Sequence, residues 1–267
     1  MNKPILTNIH PSAVVEDGAK LGNDVRIGPF CHVGPDVVLG DGVELLSHVS
    51  LHGITTIGTN TRIFPFASVG NEPQDMKFHG ERVTLEIGDS CIIREGVTMN
   101  PGTEGGGSVT KVGNNCVFLA NSHVAHDCIV GNNVIFSNNV MLAGHCIVGD
   151  YVIFGGGGGA HQFCRVGHHA FVGGLSGLEG DLIPFGTAIG NRASLAGLNL
   201  IGMKRSGVSR ESIHAVRGAY KELFAGDRPV QDVALELRET TSDEALIDML
   251  DFITASADRA LCTPGNQ

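Results

Sequence analysis

The sequence VGNNCVFLANSHVAHDCIVGNNVIFSNNVMLAGHCIVGDYVIFGGGGGAHQFCRVGHHAFVGGLSGL, residues 112–178, decides the fold. From Val112 a large apolar residue returns at every sixth position: Phe118, Val124, Val130, Phe136, Leu142, Val148, Phe154, then Val166, Val172 and Leu178, with Ala160 alone small. Four positions after these stand small or β-branched residues, among them Cys116, Cys128, Val134, Cys146, Val152 and Cys164. A period of six is neither that of an amphipathic helix nor that of a half-buried strand. It marks a hexapeptide β-helix, in which short strands coil round a prism and stack.

The same ladder runs back to the start of the chain, through Ile9, Val15, Leu21, Ile27, Val33, Leu39, Leu45, Leu51, Ile57, Ile63 and Val69. Glycine often follows the aliphatic, as at Gly22, Gly28, Gly34, Gly40 and Gly58, where a tight corner can use positive φ. Two stretches interrupt the period. Residues 70–86 carry no hexad, yet Ile87 and Ile93 resume in phase, so this segment reads as a polar excursion. Residues 100–111, NPGTEGGGSVTK, shift the phase by one and read as a mobile, glycine-rich insert. Loops on a rigid scaffold commonly carry binding residues, which makes both segments site candidates.

Composition fits this reading. The 38 glycines lack the spacing of collagen, there is no Trp, and the core must be built from small aliphatics. Six of the seven cysteines fall in the small inward slot, where a free thiol acts as a small hydrophobe. No apolar run is long enough to span a membrane, and the start Met1-Asn2-Lys3-Pro4 lacks a signal-peptide core. A cytoplasmic protein without stable membrane insertion is expected. The net charge of −10 argues against nucleic acid as a partner. Residues 192–221, however, hold Arg192, Lys204, Arg205, Arg210, Arg217 and Lys221 against Glu211 alone, a local balance of +5. That segment is either a landing site for an anionic ligand or acidic partner, or a solvated helix face.

The period changes after about residue 190. Ser209 caps a helix through Ile213, Val216, Tyr220 and Phe224, a short helix follows over 230–238, and Thr241-Ser242-Asp243-Glu244 reads as a capping box. The expected class is mainly β, a parallel β-helix over 1–190 with loops at 70–86 and 100–111, and a C-terminal α-helical domain over 191–267.

Four histidines interrupt the ladder away from its core positions: His123, His126, His145 and His161. With three hexads per turn, the hexads beginning at Val124, Leu142 and Ala160 stack on one face. His126, His145 and His161 should then stand above one another at one corner, in strands about 4.8 Å apart. Such a file disfavours full protonation, so at least one imidazole is expected neutral near neutral pH. Three readings fit: a surface ladder of hydrogen-bonded imidazoles, a zinc site like that of the γ-class carbonic anhydrases, or general-base catalysis with Asp127 beside His126.

The segments QDMK (74–77), AHDC (125–128), LAGHC (142–146), AHQF (160–163), GGLSG (173–177) and MKRSGVSRESI (203–213) resemble the UDP-N-acetylglucosamine O-acyltransferase family that begins lipid A synthesis. The resemblance covers nearly the whole chain. It implies a left-handed β-helix, an exception to right-handed crossovers, and a homotrimer with sites between subunits. It also implies transfer of an (R)-3-hydroxyacyl chain from acyl carrier protein to the 3-hydroxyl of UDP-N-acetylglucosamine, with no metal or other cofactor.

By motif match, His126 is the general base, with Asp127 as its charge partner and the Gly144 N–H as the oxyanion donor. Asp75, Lys77 and His145, with Gln74 beside them, would hold the sugar nucleotide or the acyl hydroxyl; the excursion would deliver them to a neighbouring subunit's groove. His123, His161, Gln162, Asn199 and Arg205 match further substrate-binding positions, and Gly174 bounds the acyl groove, leaving room for a long chain. Ile201, Ser206 and Asn100 depart from the family pattern, which carries Glu, Arg and His there. Some members acylate a 3-amino sugar instead, and a non-enzymatic binding scaffold would also explain the repeat and the basic patch.

Overall fold

The computed structural model describes residues 8–226 and 228–265; the start of the chain, expected to lack a signal peptide, lies outside them. Twenty-eight short strands among the described residues, from Asn8–Ile9 to Ser194–Leu198, form three sheets. Up to Gly177–Leu178, successive strands of a sheet are three apart in the chain and pair in parallel, as Val124 pairs with Leu142, Leu142 with Ala160 and Ala160 with Leu178. The sheets are the sides of a left-handed parallel β-helix. Only the last two strands, Gly186–Ile189 and Ser194–Leu198, pair antiparallel.

The hexad residues from Ile27 to Leu178 fill one continuous core, together with the small residues four positions on. Phe118, Phe136 and Phe154 stack edge to face along it, with centroids 5.1 and 4.9 Å apart. The bottom coil is thinner, since Ile9 is exposed and Val15 and Leu21 are only half-buried. Buried thiols of Cys116, Cys128 and Cys146 each donate to a carbonyl of the coil above. One edge is tied by an Asx ladder, in which the side chains of Asp41, Asp89, Asn114, Asn132 and Asp150 accept backbone N–H groups from the coil below.

The corners work differently from the expectation for glycine. Positive φ falls three positions after the hexad residue, at Asp24, Phe30, His48, Asn60, Asn121, Asp127, His145 and Phe163, all non-glycine. Gly28 and Gly58, which follow the aliphatic, are needed for another reason: a Cβ on Gly28 would lie 1.8 Å from the Leu46 carbonyl oxygen, and one on Gly58 would lie 2.4 Å from Gly88. Bare backbone at that slot lets one coil settle on the next.

Both interruptions are shorter than the sequence suggested. Ile54 pairs with Thr84, thirty residues on, where uninterrupted coils pair at eighteen, so that coil carries twelve extra residues. The strand returns at Thr84 rather than Ile87, with Val83 and Leu85 already buried. Thr84 pairs with Val109, twenty-five residues on, so the second insert adds seven. That insert is not a free loop, because Thr103 is buried and bound to Asp127.

Four helices follow among the described residues: α1 (Leu200–Arg205), α2 (Arg210–Leu223), α3 (Val230–Thr240) and α4 (Glu244–Thr254). Ser209 caps α2 by accepting from Ser212 N–H, as expected. The short α1 was not legible in the sequence. The cap of α4 is Asp243, accepting from Leu246 N–H, rather than Thr241, whose hydroxyl accepts from Asp243 N–H; the capping box is two residues out of place. The helices lay Ile213, Val216, Met249, Leu250 and Ile253 onto the common core. No helix among the described residues is long and apolar enough to cross a membrane.

Candidate active site

The imidazole of His126 is almost wholly buried, and its Nδ1 lies 2.8 Å from Asp127 Oδ2. The same carboxylate accepts from Thr103 N–H at 2.7 Å and Thr103 Oγ1–H at 2.6 Å. A carboxylate only accepts, so Nδ1 carries the proton and Nε2 keeps its lone pair. Asp127 can meet its neighbour in sequence because it sits at a positive-φ corner, with its own N–H fixed by Thr110 Oγ1. Nε2 faces Gly144: a Cβ there would lie 2.6 Å from Cε1 and 2.8 Å from Nε2. Gly144 is buried, its carbonyl accepts from Phe163, and its N–H donates to no described protein group.

His145 stands one coil above Asp127, edge-on to His126 at 5.0 Å and stacked flat on Phe163 at 4.5 Å. The vertical file at this corner is therefore Asp127, His145 and Phe163. His161 is not in it. Its Nδ1 accepts from the Arg259 guanidinium at 2.6 Å, which leaves the proton on Nε2, and Arg259 Nε also holds the Gln162 carbonyl. His123 bonds Thr98 Oγ1 through Nδ1 at 2.7 Å. Burial holds both His123 and His145 below the ordinary histidine value, against the hydrogen bond with Thr98 at His123 and the Asp127 carboxylate at His145, which push the other way. At least these two imidazoles are thus neutral near neutral pH.

A groove of about 650 Å³ runs along this face, lined by Gln74, His123, His126, Gly144, His161 and Gln162 among others. Its floor is the outward file Met141, Gly159 and Gly177, where two of three positions have no side chain. Gln74 enters the groove of its own chain, and His145 feels the charges of Asp75 and Lys77. Within the single chain, the excursion thus stands beside its own histidine groove, where the sequence reading has it reach a neighbouring subunit's. Gly174 does not line this groove; it is exposed at the preceding corner, beside Leu175.

Asn199 and Arg205 also lie apart from it. They line a second cavity of about 910 Å³ between the prism and the helices, with Ile201, Ser206, His169 and Tyr151. Asn199 caps α1 and donates to the His169 carbonyl, Ile201 is 65% exposed, and the Ser206 hydroxyl is spent on the Met203 carbonyl. Lys204, Arg205, Arg210, Arg217 and Lys221 are all exposed on α1 and α2.

His126, Asp127 and His145 present donor atoms within 4.8 Å of one another, a spacing a metal ion can use. Asp127 already accepts three hydrogen bonds, from Thr103 and His126, and neither His123 nor His161 joins the group to complete a three-histidine zinc set. The arrangement reads better as a base held by its carboxylate. Sequence reasoning missed Thr103, Thr98 and Arg259, since each reaches the site from another coil or from the chain's far end with no local pattern.

Residues 181–262 match the family described as Udp N-acetylglucosamine O-acyltransferase, domain 2, and residues 18–53 and 110–144 match the bacterial transferase hexapeptide repeats. The chain is 58% identical to the acyl-[acyl-carrier-protein]–UDP-N-acetylglucosamine O-acyltransferase of Rhizobium johnstonii, over 96% of this chain and 94% of that protein. Among solved structures it superposes on LpxA of Acinetobacter baumannii with TM-score 0.92 at 39% identity, covering 95% of this chain and 98% of that one. For the UDP-N-acetylglucosamine acyltransferase of Campylobacter jejuni the TM-score is 0.90 at 38% identity, covering 96% and 99%.

Proposed function

The chain belongs to the UDP-N-acetylglucosamine O-acyltransferase family, and from that premise we propose how its own residues carry the reaction. It moves an acyl chain from acyl carrier protein to UDP-N-acetylglucosamine, the first step of lipid A biosynthesis. The observation that carries the mechanism is the buried His126–Asp127 pair with Nε2 set over Gly144.

Nε2 takes the proton of the sugar 3-hydroxyl as that oxygen attacks the thioester carbonyl. A base so placed contributes roughly 10²–10⁴ in rate. Asp127 keeps the imidazole in the right tautomer and stabilises the imidazolium as it forms. The unpaired Gly144 N–H meets the oxyanion of the tetrahedral intermediate. Collapse expels the carrier's thiolate, which takes the proton back from His126. His145, Gln74, Asp75 and Lys77 bind the sugar nucleotide or the acyl hydroxyl, while His161 presents an Nε2–H donor. A long (R)-3-hydroxyacyl chain fits the floor opened by Gly159 and Gly177.

The second cavity, with Asn199 and Arg205, suits the nucleotide end, and a homotrimer would bring it to a neighbouring chain's histidine groove. The exposed basic surface of α1 and α2 suits the acidic carrier protein, where steering raises the association rate. Ile201 and Ser206 offer the diphosphate neither charge nor a free hydroxyl, which leaves Arg205 as its cation there.

The test is to supply 3-hydroxymyristoyl carrier protein with UDP-N-acetylglucosamine or its 3-amino analogue and weigh the products, with His126→Ala as control. Transfer to the alcohol, lost in the variant, is expected. Transfer only to the amine would make the protein an N-acyltransferase with the same base. Full activity in His126→Ala would remove the mechanism.

A further inference from the structure

The excursion that brings Gln74 into the groove has a neck, and one buried side chain holds it. Asn100 is 4% exposed, and its Nδ2 donates to two consecutive carbonyls of the excursion, Asn71 at 3.1 Å and Glu72 at 3.0 Å. An amide nitrogen carries two hydrogens, so each carbonyl receives one. The amide cannot turn round, because its oxygen would then face both carbonyls. Its Oδ1 is buried without a partner among the described residues, which identifies the two donated bonds as what the side chain is there to make. Asn71 adds a third tie, donating from Nδ2 to Ser68 Oγ at 2.6 Å. Asn100 itself is fixed to the catalytic coil, since its N–H donates to the Val124 carbonyl two residues before His126.

We propose that Asn100 is a positioning residue, which fastens the neck of the 71–83 excursion to the histidine coil and so sets where Gln74, Asp75 and Lys77 meet the sugar nucleotide. The inference rests on the acyltransfer reading for its kinetic consequence, though not for its structural one. Asn100 is not among the residues that line the histidine groove. Its effect is on where the binding residues stand when the substrate arrives.

Two variants of the full-length protein test this: Asn100→Ala, and the isosteric Asn100→Asp, which keeps the volume and removes both donors. Hydrogen exchange is followed in the free protein over residues 72–78, with residues 129–142 as the reference. Loss of two buried hydrogen bonds should speed exchange in the excursion roughly 10- to 100-fold while the reference is unchanged. In kinetics, KM for UDP-N-acetylglucosamine should rise roughly tenfold with kcat changed less. In Asn100→Asp the protection factor of the excursion, taken against intrinsic exchange at each pH, should recover in part at acid pH, where a protonated carboxyl regains one donor. Unchanged protection of 72–78 in the folded Asp variant would overturn the proposal, as would loosened exchange with KM unmoved. If the wild-type protein failed to acylate the sugar, the exchange data would still decide the clamp, so the two failures are distinguishable.

Discussion

Replacing Asp127 by Asn tests the base most directly, because the structure dictates which way the new amide must point. Thr103 N–H is an obligate donor at 2.7 Å from Oδ1, so the amide oxygen stays there. The NH₂ group then takes the place of Oδ2, facing Thr103 Oγ1 and His126 Nδ1. The threonine hydroxyl can rotate and accept. His126 cannot donate to an NH₂ group, so its proton moves to Nε2, and the nitrogen facing the substrate has no lone pair. The imidazolium also loses its counter-charge. With charge centres about 4 Å apart and an effective dielectric near 20, that attraction is about 4 kcal/mol, or roughly a thousandfold in rate. A tautomer error of the same kind costs about 10⁴ in a serine-protease triad. Single-turnover transfer to UDP-N-acetylglucosamine should therefore fall roughly 10³–10⁴-fold, with substrate KM little changed. A folded Asp127→Asn protein whose kcat stays within about threefold of wild type would refute this role for the pair.

Further predictions follow from the groove, the buried histidines and the basic helices. Gly144→Ala puts a Cβ within 2.6 Å of a His126 ring that Asp127 prevents from retreating, so kcat should drop about 100-fold or more while the prism stays folded; near-normal kcat would show that the ring has room to move. His52, His123, His145, His168 and His169 are all held below the ordinary histidine value, chiefly by burial. Each binds fewer protons folded than unfolded, so stability is fullest above about pH 6.5 and is lost as pH falls through that value. Tm should decline on going from about pH 7.5 to about pH 5.5, and a flat or rising Tm would contradict the burial argument. Arg217→Glu reverses an exposed charge on α2, far from the imidazoles in sequence. It should raise KM for acyl carrier protein severalfold, most at low salt, and leave KM for the sugar nucleotide alone; an equal effect on both would place the defect elsewhere.

The prism was legible because its period is enforced at every coil: Val124, Leu142 and Ala160 stack where their spacing puts them. The corner chemistry was less so. Glycine after the aliphatic suggested positive φ, but the left-handed residue is three positions past it, and Gly28 is there for clearance from Leu46. In the site, the pairing of His126 with Asp127 was visible as adjacency, and Gly144 came only with the family resemblance. Phe163 in the place expected for His161 follows from the same register applied strictly, since Asp127, His145 and Phe163 each lie three positions past their hexad residue, whereas His126 and His161 lie two and one positions past theirs. Arg259, ninety-eight residues from His161, gave no local signal at all. Thr103 was hidden in an insert that looked mobile from its glycines, although a buried hydroxyl fixes it.

The stacking itself constrains how this molecule comes apart. Each coil pairs only with those above and below it, so cohesion is close to a nearest-neighbour sum, as in a zipper. Unzipping then begins at a free end. The lower end is the weaker one, with Ile9 41% exposed and its strand paired on one side only among the described residues. The upper end is sealed, because Asp181 and Leu261 bridge the last coil to the segment that follows α4. The coils bearing Asn100, His126 and His145 lie between, several interfaces from the fraying edge. Heat or denaturant can thus peel the first coils while the chemistry survives, and loss of activity should lag behind the first loss of strand.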